Sequence, residues 1–237
     1  MKQLLFVIGF LMIAHSAPAQ LFSKEKILNQ ENFDKQRLTW GFFLGLNTYD
    51  FKFTYNRDQS DIQTKMNTGF NVGLVSDLRL NDYFNIRFEP GLYINQRDLY
   101  YGEDWFNGQS VNDNDLLREV KSTYVHFPVL LKVSTKRLNN FKPYVLGGVS
   151  AALNLSSNQE NPDDNSVGQF RTKRSMLFWE VGFGIDFYLY WFKFSPSIRG
   201  VFAINDEVVR DRDPNSPWTN NINSMQSRGV FLNFTFQ

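Results

Sequence analysis

The feature that most constrains this chain is its closing stretch, Gly229 to Gln237 (GVFLNFTFQ). Val230, Leu232, Phe234 and Phe236 are apolar at every second position, which puts the four side chains on one face of a strand. A soluble domain seldom leaves so aromatic a strand at a terminus, because termini fray and an apolar strand edge recruits other chains. A closed barrel removes that edge by pairing its last strand with its first. The expectation is therefore a barrel in which Val230–Phe236 lies beside the earliest strand, the one that carries Trp40.

The other terminus predicts export. Lys2 supplies a positive start, Leu4 to Ala14 an apolar run, and Ala17-Pro18-Ala19 a small-x-small cleavage site, so a signal peptide is expected over 1–19 with the cut before Gln20. The apolar run is shorter than the ~20 residues of a spanning helix. The chain has no Cys, which excludes a lipoprotein signal, disulfides, Cys-zinc sites and thiol nucleophiles.

Of the 25 basic residues, Lys2 leaves with the signal, so 24 remain to balance the 24 acidic ones, and nothing predicts a nucleic-acid partner. Aromatics reach 16%, with 24 Phe, yet no later apolar run is long enough for a helix that spans a membrane. Abundant aromatic surface in short alternating runs suits strands whose apolar faces meet outer-membrane lipid.

Alternation marks eight strands: Leu38–Thr48, Gly69–Leu80, Phe84–Gln96, Thr123–Val133, Tyr144–Leu155, Trp179–Leu189, Phe192–Ile204 and Val230–Phe236. Phe43 breaks the polar side of the first. Pro90, Pro128, Pro143 and Pro196 fall in or beside strands, where they mark starts or bulges. Short connections (81–83, 134–142, 190–191) alternate strictly with long polar ones near 50–67, 98–119, 156–175 and 205–227. That alternation is the signature of an outer-membrane barrel, with short periplasmic turns and long external loops, and it puts both termini in the periplasm. A soluble barrel or sandwich is the competing architecture. It would turn its apolar face inward and would not require Asp77, Arg79, Arg87, Glu89, Glu180, Asp186 and Arg199 on the opposite face.

The predicted fold is thus all-β, an eight-stranded antiparallel up-and-down transmembrane barrel of the outer-membrane type over 38–237. A short periplasmic segment over 20–37 precedes it. Eight staves leave just enough interior for side chains to fill, so the inward charges are expected to pair and plug the lumen. Tyr83, Tyr144, Tyr190 and Trp191 are candidates for the aromatic girdle at the short turns.

No catalytic, cofactor or metal residue is assigned, and no enzyme activity is expected. His126 is the single His of the mature chain, too few for a histidine-rich metal site, and no Ser-containing nucleophile motif lies on a neighbouring strand. The acidic runs Asn112 to Asp115 and Asn161 to Asp164 lack the Gly and terminal Glu of a calcium loop and read as solvated loop. Arg171-Thr172-Lys173-Arg174 stands before a strand, where it could meet lipopolysaccharide phosphates.

Periodicity leaves Asn32 to Gln36 and Asp50-Phe51-Lys52 unexplained. Together with the strand between them, as NFDKQ…WGFFLGLNTYDFKF, they resemble the PorT/SprT family of type IX secretion and gliding-motility proteins. His126-Phe127-Pro128-Val129-Leu130-Leu131-Lys132, and Lys142-Pro143-Tyr144 with Gly147-Gly148, resemble strands of PorT-like barrels more broadly. The resemblance implies an integral outer-membrane component required for secretion of sorting-domain proteins and gliding adhesins, with other secretion subunits as partners and no catalytic residues. Ser227-x-Gly229-x-x-Leu232-x-Phe234 resembles the terminal signal read by the barrel-insertion machinery. The alternative role is a stand-alone barrel serving as an adhesin or envelope-stability protein.

Overall fold

The computed structural model describes residues 28–106 and 112–237. The expected signal peptide and residues 20–27 of the N-terminal segment lie outside them. Ten strands form one antiparallel sheet: β1 Leu38–Tyr55, β2 Gln63–Met66, β3 Thr68–Arg79, β4 Phe84–Phe88, β5 Gly91–Tyr100, β6 Leu117–Ser134, β7 Phe141–Asn154, β8 Ser175–Tyr188, β9 Lys193–Ala203 and β10 Ile222–Phe236. β1 pairs with both β10 and β3, and this closes the sheet into a ring. The C-terminal strand meets the Trp40 strand as predicted: Phe42 lies opposite Phe236 and Leu46 opposite Leu232. The Phe42 and Phe236 rings stack at 5.3 Å.

The eight expected staves appear as ten segments because one is interrupted at Glu89-Pro90 and another continues, past a break at Asn67, as β2 in the connection expected near 50–67. Across Glu89-Pro90 the register holds on both sides. Phe88 faces Val129 and Gly91 faces His126 on β6, while on β3 Phe88 faces Ser76 and Gly91 faces Gly73. Pro90 only removes a donor from the ladder. At Asn67 the register does slip, from Met66 opposite Arg97 to Phe70 opposite Ile94, so this is a bulge that turns β2 away from β1. Pro128, Pro143 and Pro196 sit inside β6, β7 and β9 without shifting the pairing.

The barrel is apolar on its outside. Trp40, Leu74, Val145, Phe183 and Val230 face outward and are exposed, while Asp77, Arg87, Glu89, Glu180, Asp186 and Arg199 face inward and are buried. Leu38 to Thr48, at about 3.3 Å per residue and a tilt of about 40°, rises ~25 Å, the height of a lipid-facing band. Tyr83, Tyr190 and Trp191 are exposed at the short-turn end. Tyr144 departs from the girdle expectation: two residues from Leu146 on the inward face, it is buried in the lumen.

Five strands run further toward the long loops than alternation predicts, three of them by six residues or more. β1 continues to Tyr55, β6 starts at Leu117 and β10 at Ile222. Outward residues change there from apolar to polar, at Asp50, Lys121 and Arg228. The apolar period stops where lipid stops; the hydrogen-bonded ladder does not.

Candidate functional site

The interior is the densest concentration of chemistry in the molecule, and it is layered. Nearest the short turns lies an ion-pair lattice. Arg87 grips Asp77 with two charge-assisted bonds of 2.7 Å and reaches Glu89 at 3.2 Å. Arg199 donates to Glu89 and, at 2.9 Å, to Glu180. Lys132 meets Asp186 at 2.6 Å, and Ser195 donates to the other Asp186 oxygen. Lys193 stands 3.9 Å from Asp77. Tyr144 lies under the Arg87 guanidinium and the Lys132 ammonium. Strand alternation delivers each of these side chains inward, and low local dielectric then demands that each charge find a partner.

Six of the seven charges expected inside are there. Arg79 is the exception. It ends β3, lies half-exposed, and pairs with Asp82 in the adjoining short turn. At a strand end the turn carbonyls and water compete with the lumen for the guanidinium.

Above the lattice sits an aromatic layer of Phe43, Tyr49, Tyr93, Tyr124, His126, Phe178 and Phe231. Phe43, the residue that breaks the polar alternation, fills room left by two glycines. A Cβ at Gly73 or Gly91 would come within 2.6 Å of its ring. His126 Nε2 and the Tyr49 hydroxyl lie 3.0 Å apart, and four aromatic rings surround the imidazole. Its setting is that of a packed interior residue, with no serine or carboxylate bonded to it. Higher still, Glu207 accepts from Tyr124 and Ser227, and Arg97 bonds Ser227 at 2.7 Å while lying over the Phe51 ring at 3.7 Å.

Both mouths are shut. At the short-turn end residues 29–37 fold back across the opening. Asn29 bonds Asn140 and the Tyr188 carbonyl, each at 3.0 Å, and Arg137 donates to the Asn29 and Gln30 carbonyls. The Tyr188 hydroxyl donates to Asp34 at 2.6 Å, and Lys193 sits over the Phe33 ring. The segment is a latch.

At the long-loop end an apolar roof packs Phe51, Ile62, Leu99, Tyr101, Trp105, Phe106, Val120, Phe170, Val208, Ile222 and Met225 together. Trp105 donates to the Ser60 carbonyl and Trp218 to that of Asp115, both at 2.9 Å, and Arg118 stacks on Trp218.

The loops read as solvated are therefore partly structural. Asp115 accepts from the Asn112 N–H at 3.1 Å and closes the short helix α1 (Asp113–Leu116). Asp164 accepts from the Ser166 N–H and hydroxyl, which hold its carboxyl below the usual carboxylate range. Arg171 is buried and spent on the carbonyls of Arg210 and Asn161, and Thr172 is buried beside it. Lys173 pairs with Asp206 at 3.5 Å, so of this basic run only Arg174 is exposed with no charge partner among the described residues. Sequence reading missed the roof because its members are scattered over four loops. The available signal was that Tyr101, Trp105, Phe106, Phe170 and Trp218 are large aromatics inside otherwise polar connections.

Among the described residues no group of three or more His, Asp or Glu is arranged to hold a metal ion. Among the described residues the interior is filled by paired charges and packed aromatic rings.

A protein-family model agrees with this architecture. Residues 19–209 match the family model described as outer membrane protein beta-barrel domain. Among solved structures the chain is similar to the outer membrane protein OprG from Pseudomonas aeruginosa, at 15% identity and a TM-score of 0.46, covering 84% of this chain and 93% of that one. It is similar to Neisserial surface protein A at 10% identity and a TM-score of 0.39, covering 84% and 98%. It is similar to Ail of Yersinia pestis at 12% identity and a TM-score of 0.35, covering 83% and 96%. No curated protein matches the chain. The family match takes in most of the sequence, including all the staves except the closing one, and the chain belongs to the outer membrane protein β-barrel domain family.

Proposed function

We infer that this protein is a non-enzymatic integral component of the type IX (Por) secretion system, of the PorT/SprT kind. It serves secretion of sorting-domain proteins and gliding adhesins by binding other subunits. Both termini lie in the periplasm. The carrying observation is the resemblance over Asn32 to Lys52, whose otherwise unexplained residues have structural work: Phe33 and Asp34 build the latch, and Phe51 lies in the roof. A sealed lumen supports a role through surface contacts rather than conduction. The latch faces the periplasm in this orientation, where partner subunits meet it, and residues 20–27 extend that docking segment. Lipid and lipopolysaccharide contact the apolar belt and the exposed rim cations Lys52, Lys121 and Arg174, and the terminal strand engages the insertion machinery.

Clean deletion of the gene should abolish release of sorting-domain proteins, and restoring the intact chain should return it. Normal release in the deletion strain would overturn the reading. A second reading, an adhesin or envelope-stability barrel, draws on the packed roof, since ordered loops present a fixed surface. It predicts that trimming 103–115 or 209–220 impairs adhesion or envelope integrity while secretion continues.

A further inference from the structure

β6 has a partner on both sides over its lower half and on one side over its upper half. Its pairing with β5 runs up to Leu117 opposite Tyr100, whereas its pairing with β7 stops at Tyr124 opposite Asn154. Asn154 causes the split. Its buried side chain accepts from the N–H groups of both Thr123 and Ser156, at 3.3 and 3.0 Å, and donates to Thr172 at 3.2 Å. The chain therefore turns off at Leu155–Ser157 and leaves β6 uncovered above Thr123.

Hydrogen-bond parity shows which groups are bare. Even-numbered residues of β6 bond toward β5, as the Leu116 carbonyl does to Tyr101 N–H; odd-numbered ones bond toward β7, as the Thr123 carbonyl does to Leu155 N–H. The N–H and C=O of Glu119 and Lys121 thus point into the gap, where no described strand meets them. The gap is a cleft of about 400 Å³ between this edge and Gly168–Thr172. Its floor is Val120 and Phe170, and its far wall is Ser156, Asn158 and Gln169.

A comparable gap opens between the upper part of β1 and β2, beyond the Asn67 bulge. That edge is blunted: the Phe51 N–H is taken by the Asp50 carboxylate at 2.8 Å, and the Ile62 N–H by the Tyr55 hydroxyl at 3.0 Å. Among the described residues the Glu119–Lys121 edge has no such guard, although a bare strand edge is what folded proteins usually protect.

We propose that the upper edge of β6, centred on Glu119 and Lys121, is a docking site for an extended segment of another polypeptide, which adds to the sheet as a strand. Alternating unpaired N–H and C=O groups match another strand's main chain and no other common ligand. The polar wall is wrong for an acyl chain. The rim pair Glu119–Lys121, 3.7 Å apart, is neutral overall and wrong for an anionic saccharide. A second copy in the same membrane cannot supply the strand. Antiparallel pairing by a two-fold axis reverses strand direction and would turn the second barrel upside down. The site does not depend on the secretion reading above.

The test places a photo-crosslinking side chain at Lys121, and at Lys52 on the blunted edge as control, in the full chain in living cells. The expected result is an adduct with a different polypeptide from position 121 and no polypeptide adduct from position 52. Glu119→Ala should keep that adduct, and Glu119→Pro, which removes the N–H, should reduce it at least tenfold. Both variants should migrate as folded, heat-modifiable barrels. No adduct, an adduct only with lipopolysaccharide or with another copy of the chain, or an adduct that Glu119→Pro leaves intact would overturn the proposal. If Glu119→Pro fails to fold, amide exchange on the unaltered chain decides. Glu119 and Lys121 should exchange at least tenfold more slowly in native outer membrane than in purified nanodiscs, and equal rates would contradict the docking site.

Discussion

The two ends of the lumen are closed by opposite chemistry. Toward the short turns the filling is Arg87, Arg199, Lys132 and Lys193 locked to Asp77, Glu89, Glu180 and Asp186. Toward the long loops it is Phe51, Leu99, Trp105, Phe106 and their neighbours, packed as in a small soluble core. The difference follows from what surrounds each level. Where the outside of the barrel is lipid, apolar side chains are already spent outward, and the inward half of each strand is polar by alternation; its charges persist only by pairing. Above the lipid the outward positions turn polar, and the apolar side chains are free to turn inward under the loops.

The two closures should fail differently. The largest effect belongs to the lattice. Arg199→Ala strands Glu180 and leaves Glu89 with Arg87 alone, and leaving a buried charge unpaired costs about 3–5 kcal/mol. Urea unfolding in detergent, read by heat-modifiable migration, should move by that much for the whole barrel. Adding Glu89→Gln and Glu180→Gln should recover most of the loss; a shift under 1 kcal/mol in the single variant would mean that the lattice is not load-sharing.

Trp105→Ala should also cost about 3–5 kcal/mol, but locally. Proteases should cut the long loops while the barrel stays intact and heat-modifiable. Collapse of the barrel itself would show that roof and staves form one cooperative unit.

The latch is a smaller effect. Tyr188→Phe removes the donor to Asp34, a net contribution of about 1 kcal/mol. Amides of 29–37 should exchange about fivefold faster, with no change in the β-rich circular dichroism.

The smallest effect is at the loop rim. Asp104 accepts from the Ser60 hydroxyl and N–H, which lower its carboxyl from the ordinary value. A depressed folded value means that the stabilisation is present above the ordinary carboxylate range, about 3.9, and is lost as pH falls through the folded value. The group is largely exposed, so screening leaves only a slight loosening of the 57–61 loop in acid, measurable by proton exchange at Ser60. Loosening on raising the pH instead would reverse the assignment.

Much of the barrel was legible because its constraint is binary. A strand in lipid must alternate, so Val230 to Phe236 announced its face and Asp77, Arg87, Glu89, Glu180, Asp186 and Arg199 announced theirs. Pro90 obscured a stave boundary only because it removes one donor without changing register. The roof was illegible for the opposite reason: Trp105, Phe170 and Trp218 lie in connections with no period, and only the closed ring brings them together. The latch was visible only as a residue pattern without a periodic explanation, Asn32 to Gln36. Arg171 shows the limit of charge reading, because a basic run before a strand looked available and its first member is buried on carbonyls.

The central claim is that the lumen is sealed from end to end by paired charges, an aromatic layer and two closures. Single-molecule conductance of the folded protein in planar lipid bilayers tests it most directly. The intact chain should give no current steps above bilayer leak. Stable ohmic steps carried by the intact chain would contradict it.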